Sequence, residues 1–460
     1  MKDYRFIDYE PDKPLELPPD IRKWLPDDHL ALFISDVVDA LDISEITDQY
    51  LHLEGGHPAY HPRMMLKLLF YGYCVGTRSS RRIELKTYED VAFRVLSCDT
   101  HPDHSRISDF RKRHLPAVRG LFLQVLELCK ELKLIKLGHV ALDGSKVKAN
   151  ASKHKAMSYD RMLKKEPELK AEIDRLLAEA EALDEKEDKQ YGKGKRGDEL
   201  PQELKFKQGR LEKIRRAKAA LEEEARQKAI EEGKLDKDGN PPPGSGSGSA
   251  DKPVGTPADK AQRNFTDPES RIMLDGATKA FTQAYNAEIA VDCDSQIIVA
   301  ADVVQAPNDK EQLLPLVEQI EDNLGEIPDI VLADNGFYSK RGVEEVAKNY
   351  MEPLIAPERT KHGDRTQPAP KGRIPKGMSV LDRMCRKLRT KQGKKVYSKR
   401  KENVEAVFGQ IKEARGIRSF LLRGLAKVKA EWDLICITHN VLKLWRHIVG
   451  DEWRSARAYG

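Results

Sequence analysis

His139-Val-Ala-Leu-Asp-Gly-Ser-Lys-Val-Lys-Ala149 is a short apolar run with one carboxylate, Asp143, in its middle and small and basic residues after it. A carboxylate flanked by Leu142 and Gly144 on a strand must be solvated, paired or metal-bound, because an isolated buried charge costs several kcal/mol or more. Two later stretches carry matching acids. Ile330-Val-Leu-Ala-Asp-Asn-Gly336 is another apolar run that ends on Asp334 and a turn, and Glu405 lies in a helical, strongly basic segment. Three carboxylates, all hard oxygen donors, suit Mg²⁺ or Mn²⁺.

With 460 residues the chain has length for two or three domains and an ample core. Hydrophobic content of 39% beside charged content of 34% predicts a globular core that carries long solvated helices or tails. The net charge of +5 conceals an asymmetry, since Arg383 to Lys429 holds sixteen Lys or Arg against three acids. Such a bias points to a polyanionic partner. Six scattered cysteines without a C-x-x-C pair read as reduced thiols of a cytoplasmic protein. The first residues lack the apolar stretch of a signal peptide, and no run approaches the ~18 apolar residues of a membrane span.

Residues 1–135 read as an all-helical domain. Asp27 or Asp28 is placed to cap a helix through Leu30, Phe33, Val37 and Leu41. Pro62 starts the next helix and Gly76 ends it. Thr87 and Ser105 sit where caps of later helices are expected. Short helices joined by tight turns, with Arg78, Arg81 and Arg82 at one junction, fit either a helix-turn-helix-like DNA reader or a packing module. His57-x3-His61 and Cys98-x2-His101-x2-His104 have only a superficial zinc spacing, since His57 and His61 each precede a proline and read as turn residues.

Residues 136–158 hold the Asp143 strand, and 159–262 interrupt the core. Leu169, Ile173, Leu176, Ala180 and Leu183 alternate four and three apart, Gly192–Gly197 supplies a turn, and Leu204, Leu211, Ile214 and Leu221 mark a returning arm. That is a helical hairpin followed by a flexible linker, Pro241–Ala250. Residues 263–460 resume the core with strands around 284–292 and 297–304, a helix capped by Asp309, the Asp334 strand, a helix from Ser339, a strand at 353–356 and the Glu405 helix. His439 and Asn440, on an apolar C-terminal helix, read as satisfied structural residues.

In this order the residues resemble the DDE transposases of bacterial insertion sequences. The motifs are Leu142-Asp143-Gly144-Ser145, Tyr285-Asn286-Ala287, Ala333-Asp334-Asn335-Gly336-Phe337-Tyr338 and the Glu405 segment. The resemblance implies an α/β RNase-H-like core with a helical N-terminal domain and a helical-hairpin insertion. The first acid is then expected on the first strand, the second at the end of the fourth and the glutamate on a later helix. It further implies DNA cleavage at element ends and strand transfer to target DNA, with two Mg²⁺ or Mn²⁺ ions held by Asp143, Asp334 and Glu405. The partner implied is double-stranded DNA, terminal inverted repeats and target, bound by a homodimer near the nucleoid. The family signature Tyr-x2-Arg-x3-Glu-x6-Lys fits at Tyr397, Arg400, Glu405 and Lys412, except that four residues rather than three separate Arg400 from Glu405. At 3.6 residues per turn Lys401 shares the face of Glu405 and Lys412, so Lys401 is the alternative to Arg400. Glu402 is likewise the alternative to Glu405. Tyr397 and Arg400 or Lys401 would grip the end strand, Lys412 would neutralise a phosphate, and Lys391, Lys394 and Lys395 would contact the backbone. Two rival functions use the same features: a structure-selective nuclease of the junction-resolvase kind, and a catalytically retired transposase that only binds DNA.

Overall fold

The structure is a computed structural model and describes residues 20–50, 59–191, 202–241, 253–276, 279–349, 351–357, 370–375 and 377–458. His57, the turn at 192–197 and the linker at 242–250 lie outside the described residues, as do the side chains of Ala180 and Leu183.

The chain opens with α1 (Leu30–Ala40), α2 (Ser44–Thr47), α3 (Pro62–Cys74), α4 (Ser80–Glu89), α5 (Val91–Leu96), α6 (His104–Arg113) and α7 (Leu115–Glu131). Pro62 stands in the first turn of α3, where its missing N–H costs nothing. Gly76 has φ +76°, and a Cβ there would stand 2.5 Å from the Arg415 carbonyl oxygen, so both conformation and space demand glycine. Several caps differ from those expected. His29 Nδ1, not Asp27 or Asp28, accepts the amide of Ala31 at the start of α1. Thr87 lies inside α4 and donates to the Glu84 carbonyl, while Asp90 caps α5 and Asp103, not Ser105, caps α6. In each case a neighbouring Asp or His reached the free amides first.

The sheet is built from β1 (His139–Lys148), β4 (Arg271–Leu274), β5 (Phe281–Asp292), β6 (Ile298–Val304), β7 (Ile330–Ala333) and β8 (Glu352–Ile355), after the small pair β2 (Ala156–Ser158) and β3 (Gln262–Asn264). Its order is β4-β5-β1-β7-β8, with β6 also paired to β5. β1 runs antiparallel to β5 and parallel to β7, and β7 is parallel to β8. This is the mixed sheet of an α/β core. Strand β4, unexpected from sequence, extends the N-terminal end of β5.

Helices complete the layers. Those after the insertion are α10 (Leu313–Leu324), α11 (Lys340–Lys348), α12 (Val380–Arg389), α13 (Lys391–Arg400), α14 (Ala406–Gly409) and α15 (Leu425–Ala458). β6 has free edge groups, which side chains cover. Asn440 of α15 pairs with both the N–H and the carbonyl of Ile298, and Gln319 and Asn323 of α10 bond Ala301 and Val299. His439 bonds the Gln296 carbonyl, so both α15 residues are structural partners.

The insertion is a hairpin of α8 (Tyr159–Tyr191) and α9 (Gln202–Glu231). Leu169 and Ile173 pack with Leu204, Leu211, Ile214 and Leu221 in a separate hydrophobic cluster. Tyr159–Glu222, Glu166–Arg215 and Glu172–Lys207 contacts fix its antiparallel register, and the β2–β3 ladder closes its base. The helices α1 to α7, by contrast, share one continuous core with the sheet and α15.

Candidate active site

β1 and β7 are parallel neighbours, so the ends of both strands meet at one edge of the sheet, the place where open α/β sheets bind ligands. Asp143 lies on β1 opposite Ile289, and Asp334 follows directly on β7. The Asp143 side chain is 19% exposed. Burial, and after it the negative charge of Asp334, pushes its carboxyl up to about 7. One oxygen accepts the Gly144 amide at 2.9 Å and the other faces Arg400 Nη1 at 3.6 Å. Asp334 accepts the Gly336 amide at 2.7 Å and thereby caps the short turn Asn335–Phe337.

The helix that faces β1 is not a plain α-helix. α13 passes into a π turn at Lys401–Glu405, then α14, then a second π turn at Gln410–Ala414. A π turn closes i→i+5 and so takes up one extra residue, which aligns residues five apart instead of four. Arg400 and Glu405 are five apart and bracket this turn, so ideal 3.6-residue periodicity does not hold between them. The expectation that Arg400 would be rotated off the site is therefore corrected: Arg400 reaches Asp143, and Lys401 is exposed. The Arg400 guanidinium also lies over the Tyr397 ring at 5.9 Å. Tyr397 donates its hydroxyl to the Ala333 carbonyl at 3.2 Å, which ties the helix to the strand end just before Asp334.

Lys412 donates to Ser145 Oγ at 2.5 Å and to the Lys146 carbonyl at 2.9 Å, with the charge of Asp275 also acting on it. Glu405 and Glu402 are both exposed on this helix, and the sheet does not cover either. Asp143, Asp334 and Glu405 do not converge within 4.8 Å; among the described residues the group that does is Glu84, Asp103 and His104, on the surface of α4 and α6.

Glu288, which the sequence did not single out, crowds the same edge together with Asn286 and Asp309. Glu288 on β5 lies opposite Gly144 and is fully buried. A Cβ on Gly144 would stand 2.5 Å from Glu288 Oε2, so the carboxyl would have to shift to admit one. Burial foremost, then the charge of Asp309, pushes Glu288 up to about 10. Asp309 does not cap α10, whose N-cap is Gln312. It bonds Asn286 Nδ2 at 2.5 Å and Lys146 Nζ at 3.5 Å instead. The signal available in sequence was the alternation Asn286-x-Glu288 within an apolar strand.

Arg78 is not on the surface. It is buried, bonds the Ser419 carbonyl at 2.9 Å and pairs with Glu431 at 3.4 Å. The expectation that it reads DNA is corrected, because its charge is spent on tying the turn before α4 to Ser419 and to Glu431 of α15. Arg81 and Arg82 are exposed, as are Lys391, Lys394 and Lys395. No helix among the described residues is long and apolar enough to cross a membrane.

Comparison with protein families gives two matches. Residues 19–113 match a family described as a transposase domain, and residues 366–445 match one described as a transposase DDE domain. The first covers α1 to α6 and the second the helix with Arg400, Glu405 and Lys412, while Asp143 and Asp334 lie outside both. Comparison with curated proteins and with solved structures gives no match. A DDE transposase acts on DNA and depends on divalent metal, in keeping with the oxygen donors at this edge and the basic helices beside it. The two transposase matches, in this order on one chain, support an insertion-sequence DDE transposase.

Proposed function

We propose that the chain cleaves DNA at the ends of its element and joins the freed 3′-hydroxyl to target DNA, in an RNase-H-like core that uses Asp143, Asp334 and Glu405. The observation that carries this is the meeting of Asp143 and Asp334 on parallel neighbours β1 and β7, with Arg400 against Asp143. The strand order β6-β5-β1-β7-β8, with β5 antiparallel to β1, supports the RNase-H-like assignment. The donor set fits Mg²⁺ or Mn²⁺, two ions, since Asp334 raises the cost of ionising Asp143 at a site that offers hard oxygens. When bound, such ions activate the attacking hydroxyl and stabilise the leaving oxygen. Glu405 completes the set from the exposed face of its helix.

The chain's own residues do the rest. Arg400 and Lys412 place positive charge where a phosphate would lie. The hydroxyl of Tyr397 fixes the strand end that presents Asp334. Lys391, Lys394 and Lys395 hold backbone phosphates without reading sequence. Arg81 and Arg82, exposed at the start of α4, contact the terminal repeats, and a homodimer brings two ends together. The test is cleavage of end-containing duplex by the full chain. Asp143→Asn, Asp334→Asn and Glu405→Gln should each reduce cutting to background while DNA binding persists, and EDTA should abolish it in a way zinc does not reverse. Full activity in EDTA would end the metal reading. Cutting of branched DNA without preference for ends would make the protein a structure-selective nuclease instead.

A further inference from the structure

β1 has two faces at its site end. Side chains alternate along a strand, so Asp143 and Ser145 share the face toward the Arg400 helix, while Gly144 and Lys146 share the other. The second face holds Glu288 and Asp309, which share the Asn286 side-chain amide: it donates to Glu288 Oε1 and to Asp309 Oδ1. Glu288 is 0% exposed, and its Oε2 has no hydrogen-bond partner. Lys146 is the cation paired to this group, at 3.5 Å from Asp309, so two carboxyls face one ammonium. Asp309 also reaches the end of β7. A Cβ on Gly336 would stand 2.8 Å from Asp334 Oδ1 and 3.0 Å from Asp309 Oδ2, so both carboxylates border one small space that glycine leaves open.

We propose that Asp309 is a further ligand of the divalent cation held at Asp334, with Asn286 and Glu288 as the buried positioning residues behind it. This rests on the metal-centre reading above. Without a cation, Asp309 and Asp334 crowd one small space with a single ammonium beside them, which is costly, since a buried carboxylate requires a partner. A cation between Asp309 and Asp334 supplies that partner. The bland explanation is that Asp309 serves only as the ion-pair partner of Lys146. It accounts for the 3.5 Å contact but not for the crowding of Asp309 against Asp334, nor for Glu288.

Mn²⁺ binding to the full chain, followed by the electron paramagnetic resonance of the free ion, separates the two. Asp309→Asn should weaken Mn²⁺ binding by about tenfold or more, as loss of a ligand or its close support does, with a melting temperature in EDTA at or above that of the unaltered protein. Lys146→Met, which removes the cation competing at Asp309, should tighten Mn²⁺ binding, and it decides the matter if Asp309→Asn fails to fold. Unchanged affinity in Asp309→Asn, or in Lys146→Met, overturns the proposal. Asp143→Asn is the companion: if it loses Mn²⁺ while Asp309→Asn does not, the metal centre stands without Asp309. If neither variant changes Mn²⁺ affinity, the metal reading of the site falls as well.

Discussion

Glu431 on α15 and Glu288 on β5 are both buried glutamates, 1% and 0% exposed, and they could hardly be treated more differently. Glu431 accepts from Arg78 and from the Tyr73 hydroxyl, both at 3.4 Å, and from the backbone amides of Leu421 and Leu422 at 2.9 Å. Beside it Arg415 donates to the carbonyls of Tyr73 and Ile435 and to Thr438. Glu288 has one amide donor and an oxygen with none. The first cluster is complete within the chain and rivets α3 and α4 to α15. The second holds an oxygen with no such donor, and its carboxyl is pushed up to about 10. Burial by itself therefore separates no site from scaffold; the partners a buried carboxyl is given do.

The largest effect expected from this contrast is on folding. Glu431→Ala leaves Arg78 buried without its partner and should cost about 3–5 kcal/mol of stability, the usual loss when one member of a buried pair is removed. Thermal or denaturant unfolding measures it. A loss below about 1 kcal/mol would show that the knot is incidental and that α1 to α7 hold to the core by apolar packing alone.

Arg78 also shows what sequence can and cannot deliver here. Its partners Ser419 and Glu431 are hundreds of residues away, so nothing near Arg78-Ser-Ser-Arg-Arg82 separates the buried arginine from the two exposed ones. Asp143 and Asp334 were legible because each is a lone acid on a short apolar run, a pattern that local physics alone makes unusual. The hairpin was legible from its four-and-three spacing. Arg400 was misplaced because 3.6-residue periodicity assumes an uninterrupted α-helix, and the π turn at Lys401–Glu405 breaks that assumption. Asp309 was misread because an Asp shortly before an apolar helix looks like a cap, and only the fold reveals that it turns to Asn286 and Lys146. Local pattern thus recovers strands and their acids; it fails where a side chain's partner is fixed by tertiary structure.

Next in size is a change in DNA selectivity. Arg81 and Arg82 differ from Arg78 in having their charges free at the surface, so Arg81→Ser with Arg82→Ser should leave the melting temperature nearly unaltered. It should reduce discrimination between terminal-repeat and scrambled DNA by about 1–3 kcal/mol for each base pair that is no longer read. Competition binding with the full chain is the suitable assay, since α1 to α7 share the core of the sheet and a fragment would lose it. Unaltered discrimination would assign end recognition to other residues.

A smaller effect belongs to the exposed lysines of α13. If the Arg383–Lys429 segment neutralises about six to eight phosphates, log K should fall with log salt with a slope of roughly −5 to −7. Lys394→Glu with Lys395→Glu should flatten that slope by about two. Buried, paired cations such as Arg415 contribute nothing to it. A slope near zero in the unaltered protein would return α13 to the status of a solvated surface.

The smallest effect should be the most telling about Glu288. Glutamine keeps its shape, and its amide can donate to Asp309 as the neutral acid of Glu288 does. Glu288→Gln should therefore change stability in EDTA by less than about 1 kcal/mol, because one neutral donor replaces another. Glu431→Gln, the same chemical change at the complete cluster, should destabilise, because Arg78 would then face a neutral amide. Unfolding of both variants in EDTA makes the comparison on one scale. Equal losses would mean that Glu288 is as fully partnered as Glu431 in solution, and the unanswered oxygen would no longer mark the edge of β1 as a place built to receive a cation.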